Sequence, residues 1–210
     1  MRRLVLIAAL GALAACGKVK NIDPLNGLAG PEDNTRYGFE SSAQGWTVAA
    51  GSPNSCQSIF QNPGQSFFGQ GSLALRLVGL DTTHGAMASI VYSAPLPSFV
   101  GKTIRLWVYA PQDIAPSDDK PSYVSIYLKD AAFVYGAGKG SNFARGNWTE
   151  VVYSPALNSG GLINDPSIGY INAGFNPAAV TELGVNIGVA GTASGFSFTG
   201  TILVDAVDWQ

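Results

Sequence analysis

The chain has 210 residues, with 12 Lys and Arg against 14 Asp and Glu and a net charge of −2. Charged residues make up only 12% of it, low against about a quarter in ordinary globular chains. No basic cluster exists to neutralise phosphates, which argues against a nucleic-acid partner. Twenty-six glycines and twelve prolines, with many β-branched residues, suit an exported all-β protein.

Chain order begins with two arginines, Arg2 and Arg3, an apolar run from Leu4 to Leu13, and then Leu13-Ala14-Ala15-Cys16. A positive start, a short apolar stretch and small residues at a cut site form a secretory signal. The run falls short of the ~20 residues that span a bilayer. The segment resembles a bacterial lipoprotein signal, in which Leu, two small residues and Cys form the lipobox. That resemblance implies cleavage after residue 15 and acyl chains, palmitate among them, on Cys16. It implies a lipid anchor in a bacterial envelope membrane, since each buried CH₂ contributes ~0.8 kcal/mol. Gly17, where an Asp would favour inner-membrane retention, implies the outer membrane in a Gram-negative host. Without Arg2 and Arg3, ten basic residues face fourteen acidic ones.

Residues 16–35 are rich in Gly, Pro, Asn and Asp and read as a flexible tether, roughly 25 Å in root-mean-square span. Residues 36–210 read as one β domain. Expected strands are Tyr37–Glu40, Trp46–Ala50, Ser72–Val78, Ala86–Ser93, Thr103–Ala110, Tyr123–Asp130, Trp148–Ser154, Val180–Val189 and Thr201–Trp209. Each is rich in Val, Ile, Leu, Tyr or Trp and bounded by turn residues. No helical periodicity interrupts them, so the fold class is an all-β antiparallel sandwich. Residues 154–178 form the longest stretch without a strand, a length often associated with function.

Phe39-Glu40 followed by Gly45-Trp46 resembles the opening of galactose-binding-like jelly rolls, a superfamily that holds many carbohydrate-binding modules. Gly71-Ser72-Leu73-Ala74-Leu75, the run Lys102–Tyr109, Val124–Asp130, Asn147–Val152 and Ile202–Val207 resemble its later strands in order. The resemblance implies a jelly roll and one structural calcium, with Glu40 and Asp205 as carboxylate ligands and backbone carbonyls near Ser72 completing the shell. Two like charges brought together are eased by a cation between them.

Alternation along the strands separates an aliphatic face from a decorated one. Ile104, Leu106 and Val108 oppose Arg105, Trp107 and Tyr109. Val124, Ile126 and Leu128 oppose Tyr123, Ser125, Tyr127 and Lys129. Leu183, Val185, Ile187 and Val189 oppose Glu182, Gly184, Asn186 and Gly188. The expected outer face therefore carries Arg105, Trp107, Tyr109, Tyr123, Tyr127, Lys129, Glu182 and Asn186. Rings stack on the C–H faces of sugars, and charged and amide groups take the hydroxyls. Gly184 and Gly188 would leave room for a ligand beside the rings. The resemblance implies that these residues share the concave face of one sheet. Trp46, Trp148 and Trp209 are expected to pack.

Catalytic chemistry is sparse. The lone His84 lacks a Gly-x-Ser-x-Gly partner motif, and the chain is too poor in His and Cys for a zinc site. Gly136–Gly140 is glycine-rich without a βαβ context, so it is no phosphate loop. Asp113, Asp118, Asp119 and Lys120 read as a solvated hairpin loop. After lipidation Cys56 is the only thiol, so no internal disulfide forms. The leading expectation is a non-catalytic carbohydrate-binding lipoprotein with a glycan or polysaccharide partner. A structural or protein-interaction envelope lipoprotein and a small polysaccharide-degrading enzyme are the alternatives.

Overall fold

The computed structural model describes residues 37–51, 54–81, 87–115, 122–189 and 196–210. Cys16, the tether, His84, Asp118, Asp119 and Lys120 lie outside them. The described strands are β1 (Trp46–Val48), β2 (Cys56–Asn62), β3 (Ser72–Asp81), β4 (Ala88–Tyr92), β5 (Ile104–Ala110), β6 (Ser122–Asp130), β7 (Tyr135–Gly138), β8 (Ser141–Asn142), β9 (Asn147–Tyr153), β10 (Ile163–Asp165), β11 (Gly169–Ile171), β12 (Val180–Val189) and β13 (Ser197–Trp209). They form two antiparallel sheets. One runs β1-β4-β12-β6-β7-β11-β10, with β8 also paired to β6; the other runs β2-β3-β13-β5-β9. The expected all-β sandwich of jelly-roll type is what forms.

Between the sheets lies a single apolar layer. Ile104, Leu106 and Val108 of β5 meet Val124, Ile126 and Leu128 of β6 and Leu183, Val185 and Ile187 of β12, all fully buried. The period-2 pattern dictates this, because only one face of each strand is continuously aliphatic. β13 departs from strict alternation. A register shift between Asp205 and Asp208, with Ala206 at φ 51°, inserts an extra residue. Such a bulge changes the phase of the strand. Ile202 and Val204 before it, and Val207 and Trp209 after it, therefore all enter the core.

Several expectations need correction. Tyr37–Glu40 is not a strand: Tyr37 makes one bridge to Val207, and Phe39, at φ 51°, turns the chain away. The 154–178 segment is not strandless. It holds the β10–β11 hairpin, which extends the eight-stranded sheet beyond β7. Its turn is set by Asp165, whose Oδ1 accepts the Ser167 N–H at 2.7 Å. β2 was also unforeseen; it is an edge strand with one buried residue, Cys56, so its apolar alternation is faint.

Candidate functional site

The solvent-facing side of the eight-stranded sheet holds two adjoining depressions of about 520 and 400 Å³. Met87, Tyr135 and Asn186 line both, so the two form one groove. Strands β4, β12, β6 and β7 supply its floor, and the β10–β11 hairpin supplies one wall through Asn164, Asp165 and Tyr170.

The floor is built by pairing tyrosine with glycine across strands. Tyr127 sits opposite Gly184, and Tyr123 opposite Gly188. A Cβ on Gly184 would lie 2.1 Å from the Tyr127 ring, and one on Gly188 would lie 2.4 Å from Tyr123. The rings thus lie down over the missing side chains. This corrects the expectation that the glycines leave room for a ligand: the tyrosines themselves fill that room. Tyr127 is buried as a result, and its ring stacks on Tyr135 with centroids 5.3 Å apart and planes at 25°. Tyr135 in turn meets Tyr170 at 6.3 Å. Burial pushes the phenols of Tyr127 and Tyr135 up, the latter to about 12, so both remain neutral hydrogen-bonding groups at physiological pH.

A polar chain crosses the rings. Ser89 Oγ donates to Asn186 Oδ1 at 2.7 Å, and Asn186 Nδ2 donates to Tyr135 Oη at 2.6 Å. The Tyr135 hydroxyl accepts in this chain, so its own proton is left to donate elsewhere. Ser89 is held in turn by Asn54, whose Oδ1 accepts the Ser89 N–H and whose Nδ2 donates to the Ser89 carbonyl, both at 3.0 Å. Beside this chain Lys129 and Glu182, paired across β6 and β12, form an ion pair of 2.7 Å. Asp165 on the wall is held below the usual carboxylate range by the hydroxyl and amide of Ser167.

Arg105, Trp107 and Tyr109 do not join Tyr123, Tyr127, Lys129, Glu182 and Asn186. Each group points outward from its own strand, as the alternation requires. However, β5 belongs to the five-stranded sheet, so its three residues occupy the opposite face of the sandwich. There Arg105 pairs with Glu150 at 2.7 Å, and Trp107 is covered by Phe67, stacked at 3.8 Å and 11°. Trp46 and Trp209 are buried, as expected of packing residues, but Trp148 lies half-buried on this outer face against Tyr109 and Phe67. The sequence reading missed Tyr135 and Tyr170. The signal for Tyr135 was the alternation Tyr135-Gly136-Ala137-Gly138. Its glycines face inward, where Cβ atoms would meet Phe175 and Tyr153 at 3.0 and 2.8 Å.

Glu40 and Asp205 converge on the loop between β2 and β3. Asp205 is fully buried. Its Oδ2 accepts the N–H groups of Phe67 and Phe68 at 2.8 and 2.9 Å, and its Oδ1 accepts that of Ala206 at 2.7 Å. Glu40 Oε2 accepts the Gln70 N–H at 2.9 Å. Ser72 Oγ donates to the Gln65 carbonyl at 2.6 Å. Burial, with a further contribution from the Glu40 charge, pushes Asp205 up to about 6 despite its three amide donors. A carboxylate offers about four lone-pair positions, so both groups retain acceptor capacity toward a hard cation. Cys56 is buried, and its thiol is pushed up to about 11, which leaves it unreactive at neutral pH.

No family model matches the chain, and no curated protein matches it. Solved structures do. A carbohydrate-binding module of family 28, described as specific for non-crystalline cellulose, aligns at TM-score 0.52 and 13% identity, covering 85% of this chain and 94% of its own. The N-terminal tandem of family 22 modules from a Paenibacillus barcinonensis protein aligns at TM-score 0.52 and 11% identity, covering 87% of this chain and 50% of the tandem. The chain has the jelly-roll fold of these modules. At such identities the likeness is one of fold alone.

The tyrosine–glycine pairing can be checked directly. Gly184→Ala forces the Tyr127 ring off its seat and out of its stack with Tyr135. The expected cost is about 1–3 kcal/mol, the range for overpacking a fitted site, read as a lower Tm. An unchanged Tm would show that the ring is free to move.

Proposed function

We propose that the groove on the eight-stranded sheet binds a glycan chain without cleaving it. The observation that carries this reading is the run of rings Tyr127, Tyr135 and Tyr170 crossed by the Ser89–Asn186–Tyr135 hydrogen-bond chain. Rings present flat apolar surface to the C–H faces of sugars. The polar chain fixes the donors and acceptors that meet hydroxyls. Tyr170 is 41% exposed and Tyr123 half-buried, so these rings can meet a ligand, whereas the buried Tyr127 stacks on Tyr135. Lys129, Glu182 and Asn186 act as the polar frame. The likeness in fold to a module for non-crystalline cellulose makes neutral plant-type polysaccharides the first ligands to test.

The carboxylates of the groove favour binding over hydrolysis. Glycoside cleavage needs a protonated acid with a raised pKa opposite a second carboxylate. Asp165 is shifted the other way, and Glu182 is held by Lys129. Tyr170→Ala should measurably weaken retention on hydroxyethylcellulose, xylan or mannan in affinity gels, with the groove's own affinity falling about fivefold or more, taking ~1–3 kcal/mol per stacked ring by analogy with bases. Its Tm should stay near wild type, because the ring is exposed. Normal retention, or release of reducing sugar from any of the three, would overturn this reading.

A calcium shared by Glu40 and Asp205 belongs to the same proposal. What supports it is a buried carboxylate raised to about 6 beside a second one, the situation a cation relieves. The sign of the pH dependence follows. The folded state keeps the Asp205 proton up to about pH 6, whereas the unfolded chain releases it near 3.8. In chelator, stability is therefore greatest below this window and falls as pH rises through it, by on the order of 2–3 kcal/mol. Asp205→Asn should flatten that slope. Calcium should restore stability at neutral pH, by ~2.7 kcal/mol at a hundredfold excess over Kd. Identical melting of wild type with chelator and with calcium would remove the cation from the proposal.

The reading also includes anchoring through Cys16 to a bacterial membrane, on the strength of Leu13-Ala14-Ala15-Cys16. Cys16→Ser should move the protein from the membrane pellet to the soluble fraction after detergent-free lysis. A variant that still pellets would show another anchor.

A further inference from the structure

We infer that the five-stranded sheet carries a second glycan-binding surface, back to back with the groove. Strand register assembles it. Phe60 pairs with Ala74, Ala74 with Leu203, Leu203 with Tyr109, and Tyr109 with Trp148. These residues form one row across all five strands, on the face away from the core. Four strand spacings of ~4.8 Å make the row roughly 19 Å long. Large rings stand toward its two ends, with the buried aliphatic Ala74 and Leu203 between them. The result is a depression of about 320 Å³ between Phe60 and Tyr109.

The chemistry of this depression selects its occupant. Asn62, Gln65 and Thr201 complete the lining, and none of the lining residues is charged. Amides and a hydroxyl between aromatic rings suit a neutral polysaccharide. None of them supplies a charge to pair with one on a protein partner. Phe60 is 48% exposed, which leaves its ring open to a ligand.

The rim is also held in place before any ligand arrives. The Gln65 carbonyl accepts the Ser72 hydroxyl at 2.6 Å, and the Phe67 and Phe68 amides are pinned to Asp205. Phe67 then lies flat on Trp107. Trp107 is accordingly a positioning residue for this loop, while Phe60 and Tyr109 are the rings that meet sugar. A rigid site loses less entropy on binding. With the groove on the other side, the domain would bind two chains at once.

This inference does not require the groove reading, and the experiment separates them. The full-length chain is run in affinity gels containing hydroxyethylcellulose, xylan or mannan. Phe60→Ala, Tyr109→Ala and Tyr170→Ala are compared singly and combined. The expected result is that Phe60→Ala and Tyr109→Ala each weaken retention in part in the otherwise unchanged chain, and by about tenfold when the groove carries Tyr170→Ala. Retention should vanish only when Tyr170→Ala is added to them. Phe60→Trp should restore what Phe60→Ala loses. Should Tyr109→Ala melt early, Phe60→Ala carries the test, since its ring is exposed on an edge strand. If the Phe60 and Tyr109 variants bind like wild type while Tyr170→Ala abolishes retention, the second surface is refuted and the groove stands. If the reverse holds, the groove reading falls and this surface is the binding site. Absence of retention for wild type on all three polysaccharides overturns both.

Discussion

A buried carboxylate ties the molecule together. Asp205 lies in the central strand of the five-stranded sheet, fully removed from solvent, where an isolated charge would be prohibitively unfavourable. It is tolerated because three backbone amides converge on it: Ala206 from its own bulge, and Phe67 and Phe68 from a loop 138 and 137 residues away in sequence. The bulge and the carboxylate are two parts of one device. With Ala206 at positive φ, the strand changes phase, Val207 and Trp209 re-enter the core, and the Ala206 amide turns onto Oδ1. The loop so captured lays Phe67 on Trp107 and offers Gln70 to Glu40. One buried charge thereby couples the start of the domain, the β2–β3 loop and the closing strand.

The two outer faces solve the same packing problem by different means. On the eight-stranded sheet, large rings are laid flat over glycines, so that Tyr123 and Tyr127 become part of the floor and Tyr135 and Tyr170 rise above it. On the five-stranded sheet, the aliphatic Ala74 and Leu203 lie buried while rings stand at either side. The first arrangement gives a groove walled by a hairpin. The second gives a shallow trough. The layer between them is predominantly aliphatic and aromatic.

How much of this was legible in the sequence follows from what alternation reports. A period of two tells which residues of a strand share a face, and for β5, β6 and β12 that assignment of inward and outward residues is the observed one. It does not tell which sheet a strand joins. In a sandwich both outer faces look alike to their own strands, so Arg105, Trp107 and Tyr109 read as neighbours of Tyr127 although a whole core separates them. Tyr135 was hidden for a related reason. Its strand is Tyr-Gly-Ala-Gly, without the aliphatic residues that mark a core face, because Tyr153 and Phe175 reach across to fill the space over Gly136 and Gly138. Tyr170 sits in a three-residue strand, too short to show any period. The convergence of Glu40 and Asp205 on one loop came from resemblance, not from spacing, since nothing local in the chain signals a contact between its two ends.

The groove's hydrogen bonds have a direction that bears on what it can recognise. Asn54 fixes the backbone of Ser89, Ser89 donates to Asn186, and Asn186 donates to Tyr135. Asn186 thus has its acceptor occupied by Ser89, and Tyr135 has its acceptor occupied by Asn186. The Tyr135 proton is therefore left available to donate, from a ring whose face is already steadied by Tyr127. Burial keeps that phenol neutral at any physiological pH. Replacing Asn186 by an apolar residue would leave both Ser89 and Tyr135 seeking partners in a part-buried site. Such groups are more costly unpaired than their bonds are stabilising. The network thus supports the floor, and under the proposed reading the same three side chains would also set the polarity that a ligand meets.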